Sequence, residues 1–320
     1  MFQDYKVAYL RERVTVKEKR HLSFLRQSVA YFLSQSARKI PHAAFVNTFD
    51  VTPLIDYTRG STPQDANDSS EEALFKRALR KNYSAFFLKA VGHALYHVPS
   101  MNGFIDYHLF RNGGTLYVAD DINLSFTVHT KFGVLKPILR NPHQRTLEEV
   151  AHEMRDLARR ARRTDANQLY QRAGMAYVKT ALRQFDLSGL GALWILLRSF
   201  LWARPKPDPE LAQTPLDKQL KVEEILGATC TLANVGMMAP GHQTVTVIIP
   251  PEVMMFGLGD LHQEPRVING EVVPRYVVTM CGSMDHRAMD GGEAFPFVNH
   301  FQRYMDNPAL IYEWQPGDEV

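Results

Sequence analysis

Residues 282–295, GSMDHRAMDGGEAF, gather the side chains of this chain best placed to handle a proton. His286 stands between Asp285 and Arg287, with Asp290 four residues on and Gly291 and Gly292 behind it. A neutral imidazole held in one tautomer can take a proton from a thiol or hydroxyl near neutral pH. The same residues also read as plain structure. Asp290 followed three residues later by Glu293 is a capping pattern ahead of an apolar periodic helix, with the glycines easing the turn. Pro296 fits that helix awkwardly, so its start can slip by a residue or two. On this second reading Asp285, His286 and Arg287 are solvated loop residues, and the tripeptide alone leaves both readings open.

Other chemistry is scarce. Cys230 and Cys281 are the only cysteines, far apart and without the spacing of a metal site, so no zinc or other metal centre is expected. Thirty-seven basic against 34 acidic residues give a formal charge of +3, too weak a bias for a nucleic-acid partner. The first twenty residues mix both charge signs without an apolar stretch, so neither a secretory signal nor a membrane span is expected there and a cytoplasmic location is the default.

The elements that must position the loop alternate irregularly. Apolar residues recur at helical spacing over 24–36, and the KIPH that follows breaks the helix because proline disfavours helical geometry in the residue before it. Residues 43–55 read as a strand ending at Pro53, and 60–72 as a polar loop with Ser69 or Ser70 capping the next helix. The stretch 73–99 is helical in one piece or two. TLYVADDINLSFTVHT and GVLKPILR read as strands. TLEEVAHEMRDLARRARR, 146–163, is an amphipathic helix with Thr146 and Glu149 spaced as a capping box. TCTLANVG, TVTVIIP and RYVVTMCGSM supply three more strands, and EAFPFVNHFQRYM closes the chain as a helix. The fold class is mixed α/β, with 45% hydrophobic residues to fill its core.

One segment departs from this texture. Leu190–Trp202 is mainly apolar, interrupted by Arg198 and Ser199, and falls short of the about 20 residues that span a bilayer. Three readings stand for it: a buried helix, a membrane-surface helix, or a wall for a hydrophobic ligand.

The loop resembles the D-H-R-x-x-D-G signature of the catalytic core of dihydrolipoamide acyltransferases from 2-oxoacid dehydrogenase complexes, through Asp285, His286, Arg287, Asp290 and Gly291. Chloramphenicol acetyltransferase, with an H-x-x-x-D-G version, shares that fold. RQSVAYFLSQSARKIPH is similar to the family's R-x-x-I-A-x-x-M-x-x-S-x-x-x-I-P-H opening, and FFLKAVGHALYHVPSMN to its F-x-x-K-A-x-x-x-A-L and P-x-x-N helix. GVLKPILR resembles G-L-V-V-P-V-I-R, and the segment from Pro250 to Arg287 resembles the closing strands in order. The likeness covers most of residues 24–315.

This resemblance implies a chloramphenicol acetyltransferase-like fold with a helical apolar insertion. It comprises an N-terminal arm (1–23), an acyltransferase domain (24–315, insertion about 165–220) and a polar tail (316–320). It implies His286 as the general base that deprotonates the thiol of coenzyme A or dihydrolipoamide, and Asp290 as a structural brace paired with Arg26. It also implies a homotrimer in which the histidine of one subunit faces its neighbour's channel.

The chain departs from the family pattern at three points. The family strand F-T-I-S-N-L-G carries an oxyanion-stabilising serine where this chain reads CTLANVG, with Ala233; Thr231, two residues earlier on the same face, is the candidate substitute. No lipoyl or subunit-binding domain is expected ahead of the core and no lipoyl group in cis, so a lipoyl substrate would arrive on a separate carrier protein. The segment 187–204 offers a place for a protein or hydrophobic ligand, and the acidic EWQPGDEV end points to a free trimer instead of a cage. The expected function is a stand-alone acyltransferase. It would move an acyl group between a coenzyme A or lipoyl thioester and a thiol, hydroxyl or amine acceptor; the alternative is a catalytically silent trimeric scaffold.

Overall fold

The computed structural model describes residues 2–59, 70–107, 113–183, 208–211, 213–236 and 240–313; the apolar run at 190–202 and the acidic end after residue 313 lie outside them. Helix α1 (Phe2–Arg13) leads, exposed, into α2 (Phe24–Lys39), where the Ser23 hydroxyl accepts the Arg26 N–H at 3.2 Å as N-cap. Ile40, held extended by Pro41 behind it, ends α2 and starts β1 (His42–Asp50). The strand expected to run to residue 55 stops at Asp50, because Pro53 sits in the first turn of α3 (Thr52–Arg59), where its missing N–H costs nothing. The 73–99 stretch divides at Asn82 into α4 (Glu71–Lys81), capped by the Ser70 hydroxyl, and the buried α5 (Tyr83–His97).

Nine described strands follow β1 and with it make three sheets. β2 (Gly103–Asp106) pairs with β3 (Thr115–Val118), and β5 (Val128–Thr130) with β6 (Gly133–Leu135). β4 (Asn123–Phe126), β7 (Ile138–Arg140), β8 (Cys230–Asn234), β9 (Met254–Ile268) and β10 (Glu271–Asp285) join β1 in a mixed sheet of order β1-β10-β9-β8-β4-β7. In it β8 runs parallel to both β4 and β9. Between the strands lie α6 (Leu147–Arg162), with the capping box that Thr146 and Glu149 predict, and α7 (Ala166–Arg183). The TVTVIIP stretch forms no ladder. β9 and β10 already have a partner on each side, so it crosses the sheet face. There Thr246 Oγ1 meets Ser283 Oγ at 3.1 Å and donates to the Met255 carbonyl.

Helix α8 (Gly291–Asp306) packs on the opposite face, followed by the short α9 (Ala309–Glu313). Its Phe297 and Phe301 are fully buried against Phe256 of β9 (ring centroids 4.4 Å apart) and Phe49 of β1 (4.8 Å). Gly282 of β10 is required where Phe45 crosses it: a Cβ there would come within 2.3 Å of the ring. The result is a rigid base under the Asp285 end of β10. No described helix is long and apolar enough to cross a membrane, and no group of three or more His, Cys, Asp or Glu among the described residues could hold a metal.

A histidine cluster joins α5 and α8 and sets a pH dependence. His93 and His97 of α5, His143 of the 142–144 turn, and His300, Arg303 and Tyr304 of α8 face one another, with Lys89, Arg145 and Glu149 at the edge. Burial first, then the charges of Lys89 and neighbouring histidines, push His93 down to about 2; burial and then Lys89 push His143 down to about 4. The unfolded chain therefore takes up protons below the ordinary 6.5 that the folded chain refuses, so stability is fully present above 6.5 and is lost as pH falls, to about 4 for the share of His143 and on toward about 2 for that of His93. The urea midpoint is expected to drop across that window, and His93→Leu to flatten the slope.

Candidate active site

The histidine loop is built by the end of the sheet. Asp285 closes β10 opposite His42 of β1, and its N–H donates to the Val253 carbonyl at 2.9 Å; the His286 N–H donates to Pro41 at 3.1 Å. The chain then turns tightly, Ala288 N–H returning to the Asp285 carbonyl at 2.9 Å. The Asp285 carboxylate is fully buried and takes the Arg287 guanidinium in a fork, with contacts of 2.6 Å to Nη2 and 2.9 Å to Nε, as well as the Arg287 N–H at 3.0 Å. Arg287 in turn lies over the Tyr107 ring at 5.1 Å. Asp285 and Arg287 are thus internal braces, not solvated loop residues.

His286 points the other way. Its side chain is 47% exposed, and Nδ1 lies 3.0 Å from the Asp290 carboxylate. A carboxylate accepts only, so its place beside Nδ1 favours the tautomer with the proton on that nitrogen. Glu293 accepts the Asp290 N–H at 2.8 Å in the capping box that the spacing predicts, and the Asp290 carboxylate of that box also lies beside the imidazole. This replaces the pairing expected for Arg26. That residue sits exposed in the first turn of α2, whereas the Asp290 carboxylate is itself solvent-exposed and aimed at the base.

Ala233 packs among Ile40, Ile248 and Met255 and has no hydroxyl of its own. Thr231 is fully buried, and its hydroxyl has three partners: Glu252 Oε2 at 2.6 Å, Ser125 Oγ at 2.7 Å and Lys136 Nζ at 3.2 Å. One proton and two lone pairs are all it has, and the Glu252 carboxylate requires the proton. The hydroxyl expected to replace the serine is therefore committed inside the fold. Lys136, Glu252 and Ser125 escaped the sequence reading. The available signal was a lysine in the otherwise apolar GVLKPILR strand and a glutamate directly after two prolines. Neither cysteine is a nucleophile: both are buried, and burial followed by the charge of Glu252 pushes the Cys230 thiol up.

Comparison with known proteins adds the following. Residues 15–174 and 209–313 match the family model of the 2-oxoacid dehydrogenases acyltransferase catalytic domain. Among curated proteins, the dihydrolipoyllysine-residue acetyltransferase component of the pyruvate dehydrogenase complex of Staphylococcus epidermidis is 23% identical over 287 residues, which is 90% of this chain and 51% of that protein. The corresponding Staphylococcus aureus protein matches to the same extent, so the chain spans about half the length of these relatives. Among solved structures, the Azotobacter vinelandii dihydrolipoamide acetyltransferase superposes with a TM-score of 0.64 at 21% identity over 94% of this chain and 96% of that one. A probable dihydrolipoamide acetyltransferase from Listeria monocytogenes gives 0.60 at 18% identity over 95% and 98%.

Proposed function

Because the chain belongs to the 2-oxoacid dehydrogenase acyltransferase catalytic-domain family, we propose that it moves an acyl group between a coenzyme A or lipoyl thioester and an acceptor thiol, hydroxyl or amine, with His286 as general base. The observation that carries this reading is the half-exposed imidazole itself, whose Nδ1 lies 3.0 Å from the Asp290 carboxylate, an arrangement that favours Nε2 as the proton acceptor. Nε2 takes the acceptor's proton, the freed thiolate or its equivalent attacks the thioester carbonyl, and a tetrahedral oxyanion forms. Collapse breaks the original C–S bond, and the leaving thiolate recovers the proton from Nε2. Asp290 keeps the ring in the right tautomer throughout. The active unit is a homotrimer in solution, a state supported by the family membership and by the likeness to acyltransferase cores. The apolar stretch 187–204 is its place for a hydrophobic ligand or partner.

The test is incubation of the full chain with coenzyme A thioesters of graded chain length and dihydrolipoamide, with acylated products read by mass spectrometry. Acyl transfer from at least one donor is expected; none from any of them would overturn the proposal. That outcome would favour a silent trimeric scaffold, the reading to which Ala233 in its apolar pocket points.

A further inference from the structure

The oxyanion formed in that reaction needs a donor, and neither residue of the CTLANVG strand expected to provide one does so: Ala233 has none and Thr231 has committed its proton. The third member of the Thr231 network is different. Lys136 stands where the family pattern G-L-V-V-P-V-I-R carries a valine, between β6 and β7. Its ammonium donates to Thr231 Oγ1 at 3.2 Å and to Glu252 Oε1 at 3.4 Å. Those described contacts occupy two of its three N–H groups. The Lys136 side chain is 20% exposed while Thr231, Ser125 and Glu252 are buried, so Lys136 is the member of the network that reaches solvent.

The network also adjoins the place of the missing serine, since Thr231 lies two residues before Ala233 on the same face of β8. Glu252 is followed by Val253, whose carbonyl accepts the Asp285 N–H immediately before His286. β2 runs beside this segment, its Phe104 bridged to Glu252, and the chain reaches Tyr107 beneath Arg287 directly after that strand. An ammonium is a stronger donor to developing negative charge than a neutral hydroxyl.

We propose that the Lys136 ammonium stabilises the tetrahedral oxyanion in place of the missing serine, with Thr231 and Glu252 as the positioning residues that aim it. This rests on the acyl-transfer reading above. The carboxylate of Glu252 balances the cation in the resting state, and Thr231, by accepting from Nζ, fixes its direction. In the reaction Lys136 keeps all three protons. Its third N–H donates a hydrogen bond to the oxyanion as the C–S bond forms, and relaxes when the leaving thiolate departs.

The experiment compares Lys136→Met, Lys136→Met with Glu252→Gln, and each with Ala233→Ser added, in the full chain. The donor is the best coenzyme A thioester of the graded series and dihydrolipoamide is the acceptor. The double replacement removes both charges together, so no buried carboxylate is stranded. Loss of the donor is expected to lower kcat about 10²-fold in both, with KM little changed, and Ala233→Ser is expected to restore most of the rate by returning the hydroxyl. Turnover near wild type in the doubly neutral variant, a change confined to KM, or no rescue by Ala233→Ser would overturn the assignment of Lys136. If His286→Ala is inactive while the doubly neutral variant is active, only this inference falls. If the wild-type chain transfers no acyl group at all, the functional reading falls and takes this one with it.

Discussion

Replacing His286 with alanine is expected to lower kcat/KM for acyl transfer by about 10²–10⁴-fold, the range a positioned general base supplies. Folding should be unaffected. The side chain is 47% exposed, and apart from the Asp290 contact the loop is held by backbone bonds and the Asp285–Arg287 fork, which the substitution leaves in place. Coenzyme A release followed with a thiol reagent would measure the rate, and an unchanged urea midpoint would show that the loss is chemical. Asp290→Ala should cost less, since water can take the Nδ1 proton of so exposed a ring, but it should lower kcat with little effect on KM. Full activity in His286→Ala would remove the base from the mechanism.

The capped turn that carries His286 was legible in the sequence because its residues are contiguous. Asp285, His286, Arg287 and Asp290 fall within six consecutive positions, so the register of one turn determines which side chain goes inward and which outward. Helix α6 was legible for the same local reason, a cap followed by an apolar stripe, and α2 from its apolar spacing and the proline break behind it. The misreadings came from partners that local pattern cannot name. TVTVIIP alternates like a strand, but whether it pairs depends on an available sheet edge, and the edges of β9 and β10 were already taken. The Thr231 network draws single residues from four separate stretches, Ser125, Lys136, Thr231 and Glu252, and only the parallel pairing of β4 with β8 brings the first and third together. Arg26 was matched to Asp290 by a sequence pattern. In the fold Asp290 turns toward His286, at a capping position that sequence spacing had assigned to the helix alone.

The second large effect is expected at Arg287, which does not face the acceptor. Arg287→Met would leave the Asp285 carboxylate fully buried without its forked partner. Breaking such a pair from one side typically destabilises by about 3–5 kcal/mol, because the stranded charge keeps its desolvation penalty and loses the attraction that offset it. The urea midpoint should fall accordingly with an unchanged slope, the sign of lost stability rather than altered compactness. Asp285→Asn combined with Arg287→Met removes both charges and should recover much of the loss, whereas Arg287→Lys should recover only part, since a single ammonium cannot reproduce contacts from both Nε and Nη2. Catalysis follows stability here by a specific route. The fork, the Arg287 N–H on the same carboxylate, and the His286 N–H on Pro41 fix three successive residues of the turn. Even at temperatures where Arg287→Met stays folded, Nε2 should therefore wander from its direction and kcat should drop. A variant that loses stability but retains full kcat would show that His286 is positioned by Pro41 and Asp290 alone.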